Sequence, residues 1–157
     1  MTLHIRFPDV WPGWNIHECN LTPLVDPETP FHKARRDGCP GLITVDVDPK
    51  ALSDYYSDSP VFRGLLHSSE NPAEDVTVVL KFAMREDLVD DLIDEDHMYA
   101  GPLEPLQGST VPRCYGAYSG MTDEGQLVGC LMLEDWGEVL EKPFRQLPMD
   151  LRYAQFQ

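Results

Sequence analysis

Basic residues are scarce in this chain: 12 Lys and Arg stand against 27 Asp and Glu, for a formal net charge of −15 over 157 residues. Nucleic acid and anionic membrane surfaces both need a basic footprint, so neither is an expected partner. Long apolar runs are missing as well. No stretch approaches the roughly 20 apolar residues of a spanning helix, and no apolar run after Met1 marks a signal peptide. The four cysteines, Cys19, Cys39, Cys114 and Cys130, stand apart with no CxxC spacing. Free, partly buried thiols in an intracellular, cytoplasmic protein are therefore expected. Familiar hydrolase signatures are absent too. His17-Glu18 has Leu21 where a zinc hydrolase helix would place its second histidine, and there is no Gly-x-Ser-x-Gly. His67 and His97 have no ligand at metal spacing and read as surface histidines.

With hydrophobic residues at 42%, the chain can bury a core, and its length suits one domain. Residues 1–49 hold seven of the 14 prolines together with Trp11 and Trp14. Prolines at this density leave no room for a long helix. Exposed indoles are costly, so this segment reads as an N-terminal extension that docks on the domain or on a partner. After Pro49 the pattern changes. Residues 59–66 and 76–83 read as two strands of a hairpin, joined by a polar loop. Residues 85–99 read as a helix whose apolar stripe contains Leu88, Leu92, Glu95 and Tyr99, with Val89 and Ile93 beside it. Its other acids read as a solvated face. Two more strands, 111–118 and 127–133, follow, and 142–157 has weak helical character. The expected fold is α+β: an antiparallel sheet with one packed helix over 50–140, a proline-rich extension before it, and the start of a helical region over 141–157.

Lys81 lies in the middle of the apolar run Val76–Ala83, with Val79 and Ala83 on its own face. An unpaired buried ammonium is expensive, and the following helix offers Glu95 on its inward stripe. Packing that helix on the sheet would bring the two into ion-pair reach. The plainer alternative is that Lys81 snorkels at a strand end while Glu95 is solvated.

The strings around this pair carry a resemblance. Val79-Leu-Lys81, a helix with Glu95 and Tyr99, Leu106-Gln-Gly108, Val111-Pro-Arg-Cys-Tyr-Gly116 and Gly129-Cys-Leu-Met-Leu-Glu-Asp-Trp-Gly137 resemble, in order and spacing, the N-terminal lobe of protein kinases. They are most similar to the kinase-like proteins abundant in fungi, over residues 60–157. The resemblance implies ATP, with magnesium, as ligand. It casts Lys81 as the lysine that holds the α- and β-phosphates, Glu95 as its helix partner and Leu133 as the gatekeeper. The backbone of Glu134 and Trp136 becomes the hinge that pairs with adenine.

Departures from the pattern limit the activity it implies. The stretch Ala51–Pro60, where a glycine-rich loop should cover the phosphates, has no glycine and carries Asp54 and Asp58. Val79 replaces the usual alanine of the adenine slot. Arg35-Arg36-Asp37 looks like a catalytic-loop string but lies upstream of Lys81, with Leu42 in place of the asparagine. No catalytic Asp, metal-binding Asn or DFG follows the hinge. The expectation is thus a truncated, pseudokinase-like domain, non-catalytic on its own, with a binding or scaffold role, joining a protein partner or a second copy through its exposed lobe face. The alternative is the N-terminal portion of an active ATP-dependent phosphotransferase. An α+β domain with no nucleotide role is the third reading.

Overall fold

The computed structural model describes residues 2–7, 11, 15–24, 42–51, 58–67 and 75–137. Seven strands are present in them: β1 (Thr2–Arg6), β2 (Glu18–Pro23), β3 (Leu42–Ala51), β4 (Val61–His67), β5 (Val76–Ala83), β6 (Cys114–Met121) and β7 (Leu127–Glu134). One α-helix, α1 (Glu86–Ala100), and a 3-10 turn at Glu104–Leu106 lie between β5 and β6.

These strands close into a barrel in the order β1-β2-β6-β7-β5-β4-β3. This overturns the expected α+β antiparallel sheet with a docked extension. The barrel is mixed, because β1 runs parallel to β3 with Thr2 beside Leu42 and Arg6 beside Asp46, while every other neighbouring pair is antiparallel. The physical reason is burial. The sheet face that the helix does not cover is apolar along β4, β5 and β7, and an open sheet would leave it in water. Residues assigned to the extension supply the cover as β1, β2 and most of β3. Prolines barred a helix there but not strands, and Pro23 falls at the last position of β2, where a missing donor is tolerated. The expected helical region over 141–157 lies outside the described residues.

Alternation along each strand fills the interior. Val78, Leu80 and Phe82 of β5, Val128, Cys130 and Met132 of β7, and Leu3 and Ile5 of β1 are all fully buried. Trp11 enters the same core. Its ring lies 4.6 Å from Phe82, 4.9 Å from Phe7 and 5.4 Å from Phe62. Trp14 lies outside the described residues. At the opposite seam, β2 and β6 approach so closely that a Cβ on Gly120 would stand 2.5 Å from the Asn20 carbonyl oxygen.

Helix α1 packs on the outside of β5, β6 and β7. Val89 and Leu92 face Ala83, Cys114, Ala117 and Leu131. Small residues make the approach possible: a Cβ on Gly129 would stand 2.8 Å from Val89 Cγ2. Glu86 and Asp87 lie in the first turn, where the helix dipole favours them. The buried stripe is rotated from the expected one, and Asp96, at its C-terminal end, is 6% exposed and accepts from Cys114 Sγ at 3.4 Å. Cys19, Cys114 and Cys130 are buried free thiols. Burial pushes the Cys19 thiol up to about 12, and the other two are raised for the same reason. Among the described residues, no helix is long and apolar enough to cross a membrane.

Candidate functional site

Period-2 alternation puts Val79, Lys81 and Ala83 on the outer face of β5, towards α1. In register, Lys81 stands between Val61 of β4 and Leu131 of β7, and Val79 between Arg63 and Leu133. Helix α1 then delivers Glu95 to this face. Lys81 Nζ donates to Glu95 Oε2 at 2.5 Å, so the two residues singled out in sequence meet. Their side chains are 39% and 31% exposed, which leaves one side of the pair open to solvent. An ammonium has three donors, and Glu95 accepts from one of them.

The other candidate residues lie at the end of β7. Leu133 is half-buried against the cluster beneath α1. Glu134 is turned towards β6. Its backbone N–H donates to the Arg113 carbonyl at 2.8 Å, and its carboxylate accepts the Arg113 backbone N–H at 3.0 Å. Trp136 is 50% exposed. Asp58, from the stretch without glycine, accepts from Arg85 at 3.3 Å. Asp54 and Arg35-Arg36-Asp37 lie outside the described residues.

Gln107, from the Leu-Gln-Gly string, bridges two elements. Its Nε2 donates to the Tyr99 carbonyl at 2.8 Å and its Oε1 accepts the Cys114 backbone N–H at 2.8 Å. One side-chain amide thereby ties the end of α1 to the start of β6 and fixes the helix that carries Glu95.

Sequence reasoning missed Arg63. On β4, its Nε donates to Asp135 Oδ2 at 3.0 Å and its Nη2 to the Gly137 carbonyl at 2.7 Å. The signal was available, since a cation between Phe62 and Gly64 in an apolar strand poses the question that Lys81 does. Beside it, a cleft of about 360 Å3 is lined by Asp46, Asp48, Arg63, Leu65 and Thr77 among others, and does not include Lys81 or Glu95. Among the described residues no group of three or more His, Cys, Asp and Glu could hold a metal ion.

A second polar cluster crosses the parallel seam. Arg6 of β1 grips Asp46 of β3 with two N–H groups, at 2.5 and 2.7 Å. His67 of β4 faces Asp46 through Nε2 at 2.8 Å and Asp75 through Nδ1 at 2.9 Å. Carboxylates only accept, so both contacts together require the imidazolium. Hydrogen bonds to Asp46 and then Asp75 hold the His67 pKa above its usual 6.5. Burial works to raise Asp46, but the bonds from Arg6 and His67 outweigh it and hold that carboxyl below 3.8.

The sign follows from linkage. The folded state binds the His67 proton more tightly than the unfolded state, so this stabilisation is complete below about 6.5 and fades as pH rises through the raised folded value. The Asp46 contribution is present above its unfolded value and is lost as pH falls through the depressed one. Urea midpoints measured between about pH 5 and about pH 8 should therefore fall more steeply for the wild type than for His67→Gln. Parallel curves would remove the cluster from the account of stability.

No protein-family model matches the chain, and no curated protein matches it significantly.

Proposed function

We propose that this chain is a kinase-related binding module, non-catalytic on its own, whose candidate nucleotide site is centred on Lys81 and Glu95. The observation that supports it most is the 2.5 Å contact between Lys81 Nζ and Glu95 Oε2, half open to solvent on the face that also carries Val79 and Leu133. A cation oriented by a helix carboxylate, with donors to spare, suits a phosphate oxygen. The chain's −15 charge opposes a naked nucleotide, so magnesium would accompany ATP and offset the repulsion. The sequence contains no DFG triplet to bind catalytic magnesium, and phosphoryl transfer depends on such metal-borne charge. Binding is the activity proposed for these residues taken alone.

Trp136, Met98 and Leu106, each 40% exposed or more, suit contact with a protein partner or a second copy. We place the module inside the cell, in keeping with its buried free thiols.

A thermal-shift titration with ATP, with and without magnesium, tests the site. At about 100 times its dissociation constant a ligand adds about 2.7 kcal/mol of stability. The wild type should shift only with magnesium present, and Lys81→Met should not shift. A shift of equal size in Lys81→Met, or none in either protein, would remove Lys81 from any nucleotide site.

A further inference from the structure

We infer that Arg63 is an internal latch over the base-binding half of this site, so that a nucleotide base must displace it to bind. The inference rests on the nucleotide reading above and adds its regulation.

β5 lies between β4 and β7, and Arg63, Val79 and Leu133 stand side by side across the three strands on one outer face. The guanidinium does not stay over its own strand. It reaches Asp135 and the Gly137 carbonyl, both beyond the end of β7. Neighbouring strands are about 4.8 Å apart, so a side chain that joins β4 to the segment following β7 spans the width of β5, near Thr77 and Val79. Val79 and the segment after Leu133 are the residues that the nucleotide reading assigns to the base.

That segment is also folded on itself. Asp135 accepts from Arg63 through one carboxylate oxygen and from the Gly137 N–H through the other, at 2.9 Å. Gly137 has φ +95°, a conformation that favours glycine, and so holds the turn that turns its carbonyl to Arg63. Arg63 and Asp135 side chains are only 22% and 12% exposed. Lys81 and Glu95, by contrast, are 39% and 31% exposed. The half of the site that suits phosphate is open, and the half that suits a flat ring is covered by a flat cation. Arg63 is a positioning residue on this view: it holds residues 135–137 closed and is not itself a ligand.

The test measures affinity for magnesium–ATP and for magnesium–tripolyphosphate, which has the charge but no base. Arg63→Met and Asp135→Asn break the same contact from opposite sides, so one serves if the other fails to fold. Each should bind magnesium–ATP at least tenfold more tightly than the wild type and bind tripolyphosphate as the wild type does. Lys81→Met added to either variant should abolish the gain. Equal ATP affinity in the wild type and both variants would overturn the latch and leave the nucleotide site standing. A tenfold loss in Arg63→Met would overturn it too, by making Arg63 a ligand contact. Binding that survives Lys81→Met, or no binding by any of the proteins, would overturn both the latch and the nucleotide reading.

Discussion

A chain lacking residues 1–24 is expected to lose its cooperative unfolding transition. Those residues supply β1 and β2, and with them the buried side chains of Leu3, Ile5, Phe7, Trp11, Ile16 and Leu21. Burying a large apolar side chain is worth about 1.5–3 kcal/mol, so six of them represent about 9–18 kcal/mol, against a typical net stability of about 5–15 kcal/mol. The loss is compounded on the other side of the core. Val45, Val78, Leu80, Tyr118 and Cys130, all at 1% exposure or less, would lose cover. The free edges of β3 and β6 would also be exposed to pairing with other chains. Urea unfolding followed by near-ultraviolet circular dichroism should show a broad, shallow decline in place of a sigmoid. A sharp transition with a slope close to that of the full chain would mean that residues 1–24 are the detachable extension their composition suggests.

Composition misled there for a definite reason. β1 and β2 are five and six residues long and are embedded among prolines and tryptophans, so no run of alternation is long enough to register. Their partners are remote. β1 pairs with β3 some 40 positions along and β2 with β6 nearly 100 positions along, and pairing at such separation leaves no local trace in the chain. The second half was legible because its signals are local. The eight-residue run Val76–Ala83 is β5 as read, and α1 differs from the expected helix by one residue at each end.

The site divides in the same way. Lys81 and Glu95 were legible because a strand period of two and a helix period of 3.6 each place a side chain on a known face. The helix stripe was read slightly off, centred towards Leu88 and Tyr99 when the buried residues are Val89, Leu92 and Asp96. That rotation put Asp96 among the solvated acids, although its neighbour in space is Cys114. Arg63–Asp135 and Arg6–Asp46–His67–Asp75 are contacts across strands. Arg6–Asp46 depends on the closing of the barrel by β1, which could not be anticipated, and Arg63–Asp135 on the pairing of β7 with β5.

Replacing Phe82 by alanine should cost about 3–5 kcal/mol, the range for large-to-small changes at fully buried aromatics. Phe82 has no exposed surface and stands at the meeting point of the two halves of the fold. Its ring lies 4.6 Å from Trp11 and 5.8 Å from Phe7, both from the N-terminal segment, and 5.9 Å from Phe62 of β4. The cavity would open between elements that are each pinned by strand pairing, so little collapse can offset it. Phe82→Leu keeps much of the volume and should cost far less. Trp11→Ala should fall in the same range as Phe82→Ala, and the double variant should cost less than the sum by about 0.5–3 kcal/mol, because each single change already removes the contact between the two rings. Urea midpoints at constant slope would give all four values. Strict additivity would mean that Trp11 does not pack on Phe82, and closure of the barrel by the N-terminal segment would lose its main support. Coupling of the expected size would locate the two halves in a single core and leave Lys81, on the opposite face of β5, as a site that can be altered without disturbing it.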